Sequence, residues 1–187
     1  MSRKTKLTPS ATVLLLEGHA QGLKNQALAD LLDVSLAQLK RYKQELDLGS
    51  NDHRNNLGRQ GEQLVAEALR RTGLPAVVMP QGHPFDIQSS SLRLEVKTSE
   101  SAQEGRYRFR LNKKRGSNHA RYRYHKNFHA DSDFLLLAIE EGGELQHLYC
   151  IPTALWKASL WVQPKSPFCP YASFRNALHL LQTALAA

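Results

Sequence analysis

Cysteine is scarce in this sequence. Cys150 and Cys169 are the only two among 187 residues, and they form no Cys-x-x-Cys pair. This excludes a disulfide-stapled fold and a zinc site built from cysteine pairs, so we expect two reduced thiols. The longest apolar run, residues 134–139, is far too short to span a bilayer, and the first residues lack the apolar core of a signal peptide. We expect a cytoplasmic protein that does not bind membranes.

Acidic residues are too few to balance the basic ones. The chain carries 17 Asp and Glu against 25 Lys and Arg, a formal net charge of +8. Such a surplus of positive charge indicates a polyanionic partner, and DNA is the partner that we expect. Apolar residues make up 41% of the chain, enough for one ordinary domain and a small second one.

The first 49 residues predict a small all-α domain. Thr8 followed by proline favours a helix start, Asn25 begins a second short helix, and Ser35 opens a third with the spacing of a capping box. The segment LADLLDVSLAQLKRY resembles a helix-turn-helix DNA-binding module, with aspartate in the turn where the family usually has glycine. The resemblance implies that its second helix enters the major groove, with exposed contacts at Gln38, Lys40, Arg41 and Lys43. A helical hairpin that only packs or dimerises is the alternative.

A linker and a second domain follow. The stretch LGSNDHRNNLG, residues 48–58, is rich in Gly, Asn and Ser, which predicts a linker at residues 50–57. Residues 58–187 mix helix and strand signals: an amphipathic helix, several short apolar strands, and two helical segments, PTALWKASL and RNALHLLQTALAA. The sequence therefore predicts a domain of mixed α/β class over residues 58–187.

The strand pair around residues 84–99 carries an unusual set of charges. Apolar and charged residues alternate in LRLEVK, the period-two pattern of a half-buried strand. If Ile87 pairs with Leu94 across a two-serine turn, Asp86 lies opposite Glu95, and Lys97 shares their face. Two carboxylates held that close favour a cation between them, and Mg²⁺ prefers oxygen ligands of this kind. This register predicts a metal site beside a lysine.

The same residues carry a resemblance to a known family. Pro84-Phe85-Asp86, followed by Glu95-Val96-Lys97, resembles the signature of the PD-(D/E)XK nuclease superfamily, with one extra residue between proline and aspartate. Gly61-Glu62 is similar to the position of the glutamate that the family commonly has on the preceding helix. The resemblance covers about residues 58–139. It implies a restriction-endonuclease-like mixed sheet flanked by helices, here preceded by the small helix-turn-helix domain.

The resemblance implies a role for each matched residue. Asp86, Glu95 and the backbone carbonyl of Val96 would bind Mg²⁺, for which Mn²⁺ would substitute, and Glu62 would complete the site directly or through a water. Lys97 would orient or deprotonate the attacking water and neutralise charge on the phosphate. Taken alone, each residue has a simpler explanation, such as a turn cap or a solvated strand position. The conjunction of all four is what indicates a catalytic site.

A basic and aromatic segment lies between residues 106 and 126. RYRFRLNKKRGSNHARYRYHK contains nine Lys and Arg and no acid, so it is expected to hold the DNA backbone. Its first six residues alternate basic and apolar side chains, which predicts a strand with one cationic face. The expected DNA contacts are Arg106, Arg108, Arg110, Lys113, Lys114, Arg115, Arg121 and Arg123. A solvated basic surface without a partner is the alternative.

These features predict a Mg²⁺-dependent DNA endonuclease. The helix-turn-helix resemblance favours a site-specific enzyme, restriction-like or homing-like, and a structure-specific enzyme of the junction-resolvase kind is the second option. Cutting both strands of a duplex needs two active sites, so we expect a homodimer. The alternative from another class is a DNA-binding regulator or accessory factor with an inactive nuclease-like domain. RNA processing is a third option, against which stands the absence of an aromatic RNA-binding signature.

Overall fold

The structure is a computed structural model that describes residues 7–80, 82–111 and 126–186. The chain divides into two compact units, Met1–Asn56 and Leu57–Ala187. In the described ranges, no helix is long and apolar enough to cross a membrane. Five of the expected DNA contacts lie outside the described residues: Lys113, Lys114, Arg115, Arg121 and Arg123.

The first unit contains three short helices, α1 (Pro9–Ala20), α2 (Asn25–Leu31) and α3 (Leu36–Glu45). The hydroxyl of Thr8 accepts a hydrogen bond from the backbone N–H of Ala11 (3.3 Å), and that of Ser35 accepts from Gln38 (3.2 Å), so both expected caps are present. The helices share a small buried core made by Leu15, Leu28, Ala29, Leu39 and Tyr42.

The turn between α2 and α3 includes a residue in the left-handed conformation. Asp33 has φ of 51°, a region that aspartate tolerates better than most residues. Val34 then donates its N–H to the carbonyl of Ala29 (3.0 Å), which closes the turn. The aspartate at this position is thus compatible with the backbone that the turn requires.

A long helix, α4 (His53–Arg71), leads into the second unit. Because it begins at His53, the last five residues of the segment expected to be a linker are helical. Val65, Ala66 and Leu69 form its buried stripe and pack against one face of the sheet.

The strands of the second unit are β1 (Val77–Val78), β2 (Ile87–Ser89), β3 (Leu92–Ser99), β4 (Tyr107–Arg110), β5 (Phe134–Glu141), β6 (Glu144–Pro152) and β7 (Ser159–Val162). Five of them form a mixed sheet of order β1-β2-β3-β5-β6. β3 and β5 are parallel, and the other neighbouring pairs are antiparallel. A separate two-stranded antiparallel sheet pairs β4 with β7.

Both faces of β5 are buried, which explains its unbroken apolar sequence. Leu136 and Ala138 point to the core shared with α4 and with the C-terminal helix α6 (His179–Ala186). Leu135, Leu137 and Ile139 point to a second core, shared with β4, β7 and the short helix α5 (Phe128–Asp131). The predicted class, a mixed α/β fold with a mixed sheet flanked by helices and preceded by a small all-α unit, is confirmed.

The prediction was wrong for PTALWKASL. A single turn of 3₁₀ helix at Thr153–Leu155 is followed by strand β7. Leu160 and Val162 are buried while Trp161 between them is exposed, which is the alternation of a half-buried strand. That alternation matches β4, with which β7 pairs. The final helix is also shorter than expected, since α6 begins only at His179.

Candidate active site at the β2–β3 hairpin

The hairpin has the predicted register. Ile87 pairs with Leu94, and the turn passes through Ser90, which has φ of 51°. Gln88 supports the turn by donating its side-chain amide to the carbonyl of Ser90 (2.7 Å). Asp86 lies just before β2, where its N–H donates to the carbonyl of Leu94 (3.0 Å). The paired register thus starts at Ile87, and the expected pairing of Asp86 with Glu95 is not part of it.

The two carboxylates instead come together through Lys97. Its Nζ lies 2.5 Å from Glu95 Oε1, 2.9 Å from the carbonyl oxygen of Val96 and 3.9 Å from Asp86 Oδ2. Asp86 Oδ2 also accepts the backbone N–H of Val96 (2.8 Å), which fixes the aspartate against β3. Three oxygens that the sequence assigned to a metal therefore surround one ammonium group.

A second lysine was missed by the sequence analysis. Lys126 donates its ammonium to Glu95 Oε2, and the lysine and glutamate side chains are only 4% and 2% exposed. The Lys126 Nζ also lies 5.2 Å from the ring centroid of Phe128. The only signal in the sequence was that Lys126 ends the basic segment, which predicted general phosphate binding and no particular contact.

Glu62 reaches the site from α4 because the helix approaches β3 very closely. Gly61 is the point of contact: a Cβ on it would lie 1.8 Å from Thr98 Oγ1 and 2.8 Å from Thr98 Cβ. Only glycine allows that distance between helix and strand. The next residue, Glu62, is half-buried and interacts electrostatically with Asp86 and Lys97.

The pKa of each of these groups depends on the charges of its neighbours. Burial, together with the negative charge of Asp86, raises the pKa of Glu62 to about 7. Burial and the charge of Glu95 also raise the pKa of Asp86. Burial would raise the pKa of Glu95 as well, but Lys97 and Lys126 outweigh it and the net direction is down. Burial works against the charged form of Lys97, and the two carboxylates overcome it, so the pKa of Lys97 is raised.

The oxygen chemistry fits a hard cation. In the described parts of the chain, no three Asp, Glu, His or Cys side chains form a group that could hold a metal ion, so Glu62 is not assembled with Asp86 and Glu95 as a third ligand. Asp86 Oδ2, Glu95 Oε1 and the carbonyl of Val96 nevertheless converge on a positive centre, the ammonium of Lys97. Two carboxylates and a carbonyl are the oxygen donors that Mg²⁺ prefers.

The described part of the basic segment forms the predicted cationic face. Arg106, Arg108 and Arg110 are exposed, while the intervening side chains of β4 are buried. Arg108 is held in place, since its Nε donates to the hydroxyl of Ser159 (3.2 Å) and its guanidinium lies 5.1 Å from the ring centroid of Trp161. The exposed surface of the β4–β7 sheet is thus basic and aromatic.

The expected DNA contacts of α3 are not all on the surface. Lys40 and Arg41 are exposed, as predicted. Gln38 is half-buried and donates its side-chain amide to the hydroxyl of Tyr42 (2.5 Å). The expectation that Lys43 is exposed was wrong: this lysine is only 5% exposed and bonds Asn25 Oδ1 (3.0 Å), and burial lowers its pKa.

Comparison with solved structures shows a likeness of fold. A bacterial homing endonuclease, I-Ssp6803I, matches with a TM-score of 0.55 and 18% sequence identity, over 72% of this chain and 97% of that chain. No family model matches the chain, and neither does any curated protein. At this identity the likeness concerns the fold alone, and the mixed α/β fold of this chain is similar to that of a bacterial homing endonuclease.

Proposed function

We propose that this chain is a DNA endonuclease that hydrolyses phosphodiester bonds with Mg²⁺ as its cofactor. The observation that carries the proposal is the convergence of Asp86, Glu95 and the Val96 carbonyl on Lys97 Nζ, and the charges of these side chains act on the half-buried Glu62. A likeness of fold to a homing endonuclease supports it, and so does the net charge of +8.

Asp86, Glu95 and the carbonyl of Val96 would hold the metal, and Glu62 would join them directly or through a water. Mn²⁺ would substitute for Mg²⁺, since both accept oxygen ligands. When bound, the ion supplies positive charge at the phosphoryl oxygens and lowers the pKa of a bound water.

Lys97 has two tasks in this proposal. Its ammonium hydrogen-bonds the attacking water and lies where negative charge grows on the phosphate in the transition state. Glu62 can exchange a proton with water near neutral pH, because its pKa is about 7. Asp86, tied to the backbone of Val96, keeps the site rigid while Lys97 moves from the carboxylates to the substrate.

DNA would bind along the exposed Arg106, Arg108 and Arg110, close in sequence to the site. The first unit, with its expected helix-turn-helix, would position the catalytic unit through Lys40 and Arg41. This arrangement favours a site-specific enzyme, with a structure-specific enzyme as the second option. A homodimer would supply the two active sites that double-strand cleavage requires.

A second candidate is a DNA-binding regulator with an inactive nuclease-like domain. One observation favours it: both oxygens of Glu95 are already engaged by ammonium groups. Asp86, Glu95, Lys97 and Lys126 together are charge-balanced without a metal. Metal binding and cleavage separate the two candidates.

The test is cleavage of supercoiled plasmid and of a four-way junction, with Mg²⁺ or with EDTA. We expect Mg²⁺-dependent nicking that is lost in Lys97→Ala and Asp86→Asn while DNA binding is retained. Arg71→Ala is the matched control, because it removes an exposed charge whose partner Glu67 lies on the same helix. Failure to cut either substrate, with no Mg²⁺ bound in calorimetry, would reject the nuclease in favour of the regulator.

A further inference from the structure

Glu95 has two cationic partners, and the mechanism above uses only one of them. Lys97 contacts Oε1 and Lys126 contacts Oε2. Lys97 is one-third exposed, whereas Lys126 is 4% exposed. The second lysine is therefore a buried charge whose role the expected chemistry leaves open.

Burying an ammonium destabilises the folded protein unless a carboxylate compensates the charge, because burial removes the ammonium from water. Lys126 meets this condition through Glu95 and through the nearby ring of Phe128. The ion pair between Lys126 and Glu95 is stable only while no cation of higher charge binds the same carboxylate oxygen.

A divalent ion at Glu95 changes that balance. The four groups Asp86, Glu95, Lys97 and Lys126 carry two negative and two positive charges, so a bound Mg²⁺ adds two positive charges to a balanced cluster. Each oxygen of the Glu95 carboxylate is in contact with an ammonium group. A divalent ion on either oxygen would repel the ammonium that contacts it and would compete with that ammonium for the carboxylate.

We infer that Lys126 is a second lysine of the active site, an internal counter-ion of Glu95 that a divalent cation displaces and that then binds a DNA phosphate. This inference rests on the proposed function. The sequence position of Lys126 supports the phosphate contact, because this lysine is the last of nine basic residues in the segment expected to hold the DNA backbone. Once displaced from the carboxylate, the Lys126 ammonium binds a DNA phosphate as its new counter-ion.

Calorimetric titration with Mg²⁺ alone tests the first part. Lys126→Met keeps the length of the side chain and removes its charge, so Mg²⁺ should bind about tenfold more tightly, a change of the size that neighbours of metal ligands produce. Lys157→Met is the matched control, because Lys157 is exposed and its loss changes the net charge equally; its Mg²⁺ affinity should equal that of the wild type. Lys126→Gln gives the same test if the methionine variant does not fold.

DNA binding in Ca²⁺ tests the second part without requiring cleavage. For Lys126→Met the slope of log affinity against log salt should fall by about 1, the contribution of one phosphate contact. Lys157→Met should leave the slope as in the wild type. An unchanged slope in Lys126→Met would overturn the phosphate contact.

The outcomes separate this inference from the proposed nuclease. If the wild type binds Mg²⁺ and cuts DNA while Lys126→Met binds Mg²⁺ equally or more weakly, Lys126 is a structural ion pair and only the inference is overturned. If the wild type binds no Mg²⁺ but Lys126→Met does, the counter-ion role is supported. If none of the proteins binds Mg²⁺, both the inference and the metal-dependent nuclease are rejected.

Discussion

Replacing Gly61 by alanine tests how tightly α4 is seated on β3. The added Cβ would lie 1.8 Å from Thr98 Oγ1 and 2.8 Å from both Cβ and Cγ2 of Thr98. Non-bonded heavy atoms in good contact lie about 3.5 Å apart, so these contacts must lengthen by about 0.7–1.7 Å. Overpacking of this kind costs about 1–3 kcal/mol.

Gly58 provides the matched control, because it lies in the same helix and a Cβ on it would have no heavy atom within 4 Å. Alanine there should stabilise the protein by about 0.5–1 kcal/mol, the gain in helix propensity over glycine. Gly61→Ala gains the same helix propensity but also loses the stability that overpacking against Thr98 costs. We therefore expect Gly61→Ala to be about 1–3 kcal/mol less stable than Gly58→Ala.

Urea denaturation of the two variants measures this difference. Thr98→Ala removes Oγ1 and Cγ2, so adding it to Gly61→Ala should recover part of the lost stability. Equal stabilisation by both glycine replacements would refute the close approach. A second readout is nicking: Glu62 follows Gly61, and a shift of about 1 Å can reduce turnover by about a hundredfold.

Three further predictions concern charge and backbone. Between about pH 4.5 and 7 the folded chain keeps a proton on Glu62 that the unfolded chain has released, so this group lowers stability as pH rises through that window. Glu62→Gln, in metal-free buffer, should therefore gain stability over the wild type from about pH 5 to 8, and a constant difference in urea titrations would contradict the raised pKa. Replacing Arg106, Arg108 and Arg110 by alanine should weaken DNA binding for all sequences and reduce the salt slope by up to about 3; a binding series at increasing salt would show an unchanged slope if these residues contact no phosphate. Asp33→Gly should stabilise the first unit by up to about 1 kcal/mol and Asp33→Val should destabilise it, because φ is 51°; circular dichroism melts with both variants equally destabilised would argue against that turn.

The register of the strand pair was predictable because residues close together in the sequence determine it. The alternation in LRLEVK and the short turn set the register of β2 and β3, and one face of the hairpin is buried, which excludes a slip by one residue. Glu62 was also predictable from the Gly-Glu pair, although the reason for the glycine, the contact with Thr98, became evident only from the packing.

Two predictions that were wrong, at Lys43 and at PTALWKASL, have different physical causes. The helix-turn-helix resemblance predicts an exposed Lys43, yet Leu39, Tyr42 and Lys43 share one face of α3 at the i, i+3, i+4 spacing and all are buried. In PTALWKASL the apolar residues are compatible with a short helix. Only pairing with β4 selects the strand β7, and that partner lies about fifty residues away.

The contact of Lys126 with Glu95 could not be derived from the sequence. The two residues are 31 positions apart, and nothing in the basic segment distinguishes its last lysine from the others. What selects Lys126 is its position two residues before Phe128, the first residue of α5, whose side chain lies in the second core. Packing of an aromatic residue thus determines which lysine reaches the carboxylate.

The short chain distance within the hairpin has a consequence for how the site folds. Asp86 and the Val96 amide that binds it are ten residues apart, whereas Lys126 and Glu95 are 31 apart. Closing a loop costs more entropy as the loop lengthens, so the hairpin can order its two carboxylates and Lys97 first. Lys126 would join only when β5 docks beside β3. Early in folding, Glu95 would thus carry a single counter-ion, and the second would arrive together with the core.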